Sequence, residues 1–186
     1  MKKTYRIAAI SGSLRKNSYN TMALKVAQKI APQNIVIDHL IITDIPLYNF
    51  DLHEKEIPVS VENICNAIKS SDAVMFFVPE YNYSVSGALK NTIDFISRSP
   101  LKPLDMKAVG IMGASLSLLG TARAQSHLRQ ILTAVNAYVM NSPEIMISEA
   151  DKKFDKEGNL TCKETKKLMI KFIISLASLS EKINTH

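Results

Sequence analysis

The chain has 186 residues, 46% hydrophobic and 22% charged, which predicts one domain, residues 1–186, with a substantial core. Six Gly and seven Pro leave no room for a long flexible linker. The formal net charge of +6 favours anionic small molecules. It gathers near the termini (Lys2, Lys3, Lys152, Lys153, Lys163, Lys166, Lys167, Lys171), without interleaved Arg and aromatics, so a solvated basic surface is expected rather than a nucleic-acid groove.

In chain order, residues 5–10 form a short β-rich run. Residues 21–30 place Met22, Val26, Ala27 and Ile30 at helical spacing, and 35–40 read as a second strand. Residues 43–58, with Pro46 and Pro58, read as a long loop. Val61, Ile64, Cys65 and Ile68 share one helix face. Residues 73–78 are uninterrupted apolar, as in a strand buried on both faces. A helix over 87–97 turns Leu89, Ile93 and Ile96 inward. A strand over 108–112, a Gly/Ser loop, a helix over 121–135 and a short strand over 137–140 follow, the last joined or extended by 144–147. Residues 154–158 form an exposed turn ahead of a long amphipathic helix over 163–183. Alternating strands and helices predict a doubly wound, five-stranded parallel sheet in a three-layer α/β/α sandwich. Ligands of such sheets sit beyond the carboxyl ends of the strands, so the loops 11–20, 79–86 and 113–120 should line one rim.

The first loop carries Ser11, Gly12, Ser13, Arg15, Ser18 and Asn20 at a strand-to-helix turn. Unpaired N–H groups, the positive end of the helix, hydroxyl donors and a forked guanidinium suit a phosphate. Gly12 would let backbone approach the anion. An ordinary turn with a Ser or Asn cap would use the same residues. The second loop brings Pro79, Glu80, Tyr81, Asn82 and Tyr83, where tyrosines could stack on a planar ring or simply cover the core or an interface. The third supplies Ser115 and, at the following helix start, Arg123; a plain crossover turn would look the same. Together the three suggest a mononucleotide with a flat heterocycle, such as FMN.

At these positions the chain resembles the NADPH-dependent FMN reductases, a family that includes bacterial quinone, azo-dye and chromate reductases. The resemblance is carried by G-S-L-R-K-N-S-Y-N at 12–20, P-E-Y-N-Y-S-V-S-G-A-L-K-N-T-I-D at 79–94 and G-T-A-R-A-Q-S-H-L-R-Q-I-L at 120–132, and extends over nearly the whole chain. It implies a flavodoxin-like fold. It implies that Ser11, Ser13, Arg15, Ser18 and Asn20 hold the FMN phosphate, that Pro79, Glu80, Tyr81, Asn82 and Tyr83 run along the isoalloxazine, and that Ser115 lies near its other edge. Three positions depart from the family: Leu116-Ser117 stand for a Pro-Gly step, Ser86 for Pro and Phe95 for Trp.

The activity so implied is transfer of electrons from NADPH or NADH through FMN to a small acceptor: a quinone, azo compound, metal oxyanion or free flavin. The chemistry belongs to the cofactor, so no catalytic side chain is required. Glu80, His127 and Cys65 read as structural, because none belongs to a base–nucleophile set. Two other readings stand: a flavodoxin-type electron carrier and a non-catalytic module binding another phosphate ligand. Carriers are usually acidic with a Thr-rich phosphate loop, unlike this chain. Cys65 and Cys162 lack metal or dithiol spacing, so no metal or iron–sulfur site is expected. Residues 1–20 have no secretory pattern and no apolar run approaches about 20 residues, so a cytoplasmic protein without a membrane span is expected. Related reductases often pair, which makes a homodimer or homotetramer the expected state.

Overall fold

A computed structural model describes residues 3–53 and 57–184, with backbone only at 52 and 53. The apolar run at 73–78 supplies the central strand β3 (Ala73–Phe77), every residue of which is buried. Beside it lies β1 (Tyr5–Ser11), paired in parallel with β2 (Ile35–Leu40) on its other edge. Beyond β3 come β6 (Ala108–Ala114) and a fifth position shared by two short strands. There β7 (Tyr138–Val139) pairs with the start of β6 and β8 (Ile145–Ile147) with its end. The main sheet order is β2-β1-β3-β6-β7, all parallel, with β8 beside the far half of β6. The expected flavodoxin-like α/β arrangement is the one observed, with its fifth position divided.

Strand side chains alternate faces and define two cores. Ile7, Ala9, Met75 and Phe77 face α1 (Tyr19–Ile30) and α7 (Lys163–Asn184). Ala8, Ile10, Val74 and Phe76 share the other core with residues of α3 (Val59–Ser70), α4 (Gly87–Arg98) and α5 (Ala122–Ala134). Helix α7 buries Met169, Phe172, Ile173, Leu176 and Ala177, a one-sided stripe at helical period. It approaches so closely that a Cβ on Gly110 would lie 2.7 Å from the Phe172 ring.

Two segments differ from the sequence expectation. The predicted loop 43–58 contains a short helix, α2 (Phe50–His53), and its residues 54–56 lie outside the described residues. The loop after β3 is a hairpin, β4 (Glu80–Tyr81) with β5 (Ser84–Val85). Its two-residue connection has φ of 49° at Asn82 and 65° at Tyr83, the signs of a type I′ turn. Such turns normally carry Gly or Asn, so no hairpin signal is visible in Asn-Tyr. A four-residue helix α6 (Ala150–Lys153) follows β8.

The strand ends position the site. Ser11 stands level with Phe77, and Phe77 with Met112. The loops after β1, β3 and β6 therefore leave the sheet at one edge, where the chain has gone from β1 to β2 on one side and then to β3 on the other.

Candidate cofactor site

The three loops enclose a cleft of about 440 Å³ lined by Ser13, Arg15, Ser18, Tyr19, Asn20, Pro79–Tyr83 and Ala114–Ser117. Of the residues expected to hold FMN, all but Ser11 lie on this wall, and Gly12 and Arg123 are off it. Tyr19 and Ala114 belong to it as well and were not anticipated individually, and Leu116 and Ser117, where the third loop departs from the family, also line it. A larger hollow of about 500 Å³ lies between α4 and α5, lined partly by Ile93, Asp94, Ile131 and Val135. The three strand-end loops do not contribute to it.

The first loop divides into donors and framework. Ser18 is the N-cap of α1: its hydroxyl accepts from the N–H groups of Asn20 (3.2 Å) and Thr21 (3.4 Å), leaving its own proton to donate. The Ser13 hydroxyl accepts from the Arg15 N–H at 3.4 Å and likewise keeps its proton. Arg15 is exposed, and no salt bridge engages it among the described residues. The first turn of α1 holds no acidic residue, so no carboxylate of its own neutralises its positive end.

Ser11 and Asn20 point elsewhere. The buried Ser11 hydroxyl meets that of Thr21 at 2.9 Å, pinning β1 to α1. The Asn20 amide donates to the Ala114 carbonyl and accepts from the Ala114 N–H, both at 3.0 Å. Ser115 N–H turns outward to Ile147 of β8 at 3.0 Å. Successive peptides of a strand face opposite ways, so the Ala114 groups look past the end of β3, where Asn20 takes the place of a missing strand. Gly12 also serves packing: a Cβ there would lie 2.9 Å from Pro79 and 3.0 Å from Leu89. The close approach it permits is between two loops, and the expected backbone-to-phosphate role is not what its bare Cα faces.

In the second loop, Ser86 caps α4 by accepting from Leu89 N–H (3.2 Å) and donates to the Gly12 carbonyl (2.6 Å). Proline, the usual family residue here, could not make that tie. The Glu80 carboxylate accepts from the N–H groups of Arg123 (3.0 Å) and Ala124 (3.1 Å), capping α5 from a neighbouring loop. The Arg123 guanidinium lies 3.7 Å from the same carboxylate and 4.0 Å from the centre of the Tyr83 ring. Tyr83 is 65% exposed and Tyr81 46%. Tyr83 is thus presented on a strained backbone under a cation that Glu80 holds. His127 meets the Ser84 hydroxyl at 3.0 Å, and burial pushes the Cys65 thiol up. Both have structural surroundings.

In the third loop, the Ser115 hydroxyl donates to the Gly120 carbonyl and meets Ser117 Oγ at 2.9 Å, so it ties its own loop together. A Cβ on Gly113 would collide with the Thr121 hydroxyl and the Val78 carbonyl, which fixes where this loop starts. Leu116, Leu118 and Leu119 project outward, all exposed.

Hydroxyl protons, a guanidinium and an open helix terminus at one end, with an aromatic hairpin at the other, match a phosphate joined to a flat ring. By fold and site this is a nucleotide-cofactor-binding α/β protein of the flavodoxin-like kind. The model of the NADPH-dependent FMN reductases matches residues 5–152. The chain is 43% identical over 169 residues to an NAD(P)H-dependent FMN reductase of Pseudomonas aeruginosa, covering 91% of each. It is 44% identical over 157 residues to a quinone reductase of Escherichia coli K12, covering 83% of this chain and 84% of that one. Among solved structures, FerB, a flavoenzyme NAD(P)H:(acceptor) oxidoreductase of Paracoccus denitrificans, superposes with a TM-score of 0.88 at 34% identity, over 96% of this chain and 98% of that one. The chain belongs to the NADPH-dependent FMN reductase family, a family of oxidoreductases using FMN and NAD(P)H.

Proposed function

We propose that this chain binds FMN in the three-loop cleft and uses it to pass electrons from NADPH or NADH to a small acceptor, with quinones the favoured class. The observation that carries the proposal is the set of uncommitted donors on Ser13, Arg15 and Ser18 at the open end of α1, facing the Tyr81–Tyr83 hairpin across one cleft. Bound FMN supplies the hydride acceptor and electron donor, which no side chain here provides.

The residues of the chain divide the remaining work. Ser13, Arg15 and Ser18, at the start of α1, hold the phosphate. Pro79, Tyr81, Asn82 and Tyr83 flank the ring on one side, with Ala114, Leu116 and Ser117 on the other. Ser11, Asn20, Glu80 and Ser115 hold this frame: Asn20 locks the first loop to the third, and Glu80 locks the second to α5. No catalytic acid or base is assigned, since the one carboxylate on the wall, Glu80, is spent on helix capping. The wide mouth of the cleft lets nicotinamide and acceptor take turns. A quinone acceptor is supported by relatives named quinone reductase. The net charge of +6 disfavours the electron-carrier alternative. Exposed Leu116, Leu118, Leu119 and Tyr83 beside the mouth offer an apolar face to a second subunit, which supports a homodimer or homotetramer. No helix among the described residues is long and apolar enough to cross a membrane, which accords with work in the cytoplasm.

Flavin titration tests the site. FMN should bind far more tightly than riboflavin, which shares the ring and lacks the phosphate. Equal affinities would remove the phosphate role of residues 13–18.

A further inference from the structure

A second, polar cleft of about 200 Å³ adjoins the phosphate end of the first and shares Ser18 with it. Its lining includes Thr21, Lys25 and Lys29 of α1, Lys16 just before that helix, and Lys156 of the turn after α6. The turn is built, not loose. Asp155 accepts from Asn159 N–H at 2.7 Å, Gly158 has φ of 80°, and Phe154 pairs with the buried Leu160. A Cβ on Gly158 would lie 3.2 Å from Met22, so the turn packs against α1. Phe154 further packs on Tyr19, ring centres 5.6 Å apart. The turn that carries Lys156 is thereby held against α1.

The charges in this cleft are not neutralised. Lys90, Arg123, Arg129 and Lys152 each sit beside a carboxylate. Among the described residues, no salt bridge engages Lys16, Lys25, Lys29 or Lys156; Lys29 reaches only the Asn159 amide at 3.4 Å. Glu157 is the one acidic residue on the lining. Lys25 and Lys29 stand one helical turn apart, a like-charge spacing that costs helix stability. The field of Lys25 also reaches His39, where it adds to burial in lowering the imidazole's proton affinity.

We propose that this lysine cleft receives a phosphate monoester, the 2′-phosphate of NADPH, and so makes the enzyme selective for NADPH over NADH. The proposal rests on the FMN-reductase reading, because a nicotinamide at the ring end of the main cleft would run its dinucleotide tail along the phosphate end. The opposite direction leads to Arg123, already engaged by Glu80 and Tyr83. A monoester carries close to two negative charges at neutral pH and accepts several ammonium donors at once. NADH has only a hydroxyl at that position.

Binding to the FMN-loaded protein, measured by calorimetry, tests the cleft without turnover. The probes are 2′,5′-ADP, 5′-ADP and inorganic phosphate. The expected order is 2′,5′-ADP about tenfold or more tighter than 5′-ADP, with inorganic phosphate weakest. The double variant Lys25→Gln/Lys156→Gln should abolish the preference for 2′,5′-ADP and lower the ratio of kcat/KM for NADPH over NADH about tenfold. Lys152→Gln, outside the cleft, should keep both. Equal binding of the two ADP isomers, or a selectivity ratio that the double variant leaves intact, overturns the proposal. Lysine-dependent preference for 2′,5′-ADP in a protein that oxidises neither nicotinamide would support the cleft and refute the reductase reading separately.

Discussion

Replacing Asn20 by Ala removes both hydrogen bonds to Ala114 at once. Asn20 is 3% exposed, and both bonds are 3.0 Å long. Alanine would leave the Ala114 N–H and carbonyl both facing the vacated space with no protein partner. A buried backbone group left unsatisfied costs about 1–3 kcal/mol, so the pair could cost up to about 6. Ala114 also lines the cleft, where water can enter and restore part of the loss. About 2–3 kcal/mol is therefore expected, a large share of the roughly 5–15 kcal/mol that holds a domain folded. Urea unfolding of the FMN-free protein measures it: the midpoint should fall while the slope stays constant. The FMN dissociation constant should rise too, because α1 is no longer tied to the third loop. Asn20→Asp, which keeps an acceptor and loses the donor, should not rescue stability. An unfolding free energy within about 0.5 kcal/mol of wild type would refute the clamp, since surface-like changes have that size.

Three further outcomes are expected. Arg15→Ala removes a charged donor worth about 1.5–3 kcal/mol, so fluorescence titration should show FMN affinity down roughly ten- to hundredfold with the fold intact. Tyr83→Ala, saturated with FMN, should show slower bleaching of the flavin by NADPH in stopped flow; wild-type rates would return this side chain to a packing role. Burial and Lys25 hold the His39 imidazole below its ordinary pKa of 6.5, so the unfolded chain binds its proton more readily than the folded one. Stability should therefore fall as pH drops below about 6.5, and His39→Gln should flatten that part of the urea-midpoint profile between about pH 5 and 7.5.

The sheet was legible because its signals are large and local. Residues 73–78 hold no polar side chain, as a strand covered on both faces requires, and Phe76-Phe77 and the flanking Val74 and Val78 favour strand over helix. The gathering of three loops followed from topology, since parallel strands end at one edge. Side-chain direction was not legible. Ser11 and Ser13 look alike in sequence, yet Ser11 is the last residue of β1 and meets Thr21 of α1, while Ser13 lies beyond the strand on the cleft. Asn20 reads as a phosphate ligand until the end of β3 shows which backbone groups it must satisfy. Glu80 and Arg123 are 43 residues apart, and nothing local announces that one caps the helix of the other. The hairpin at 80–85 escaped because Tyr83 adopts a backbone conformation that its side chain disfavours. Conversely, Ser115 was recognised as part of the third loop, but its hydroxyl is spent inside that loop.

The most direct test is an anaerobic absorbance experiment on the FMN-loaded protein. Addition of NADPH should bleach the flavin band, and one equivalent of a benzoquinone should then restore it, with repeated cycles until the nicotinamide is consumed. A flavin band that NADPH and NADH both leave unchanged would contradict the assignment of this cleft to nicotinamide-driven electron transfer.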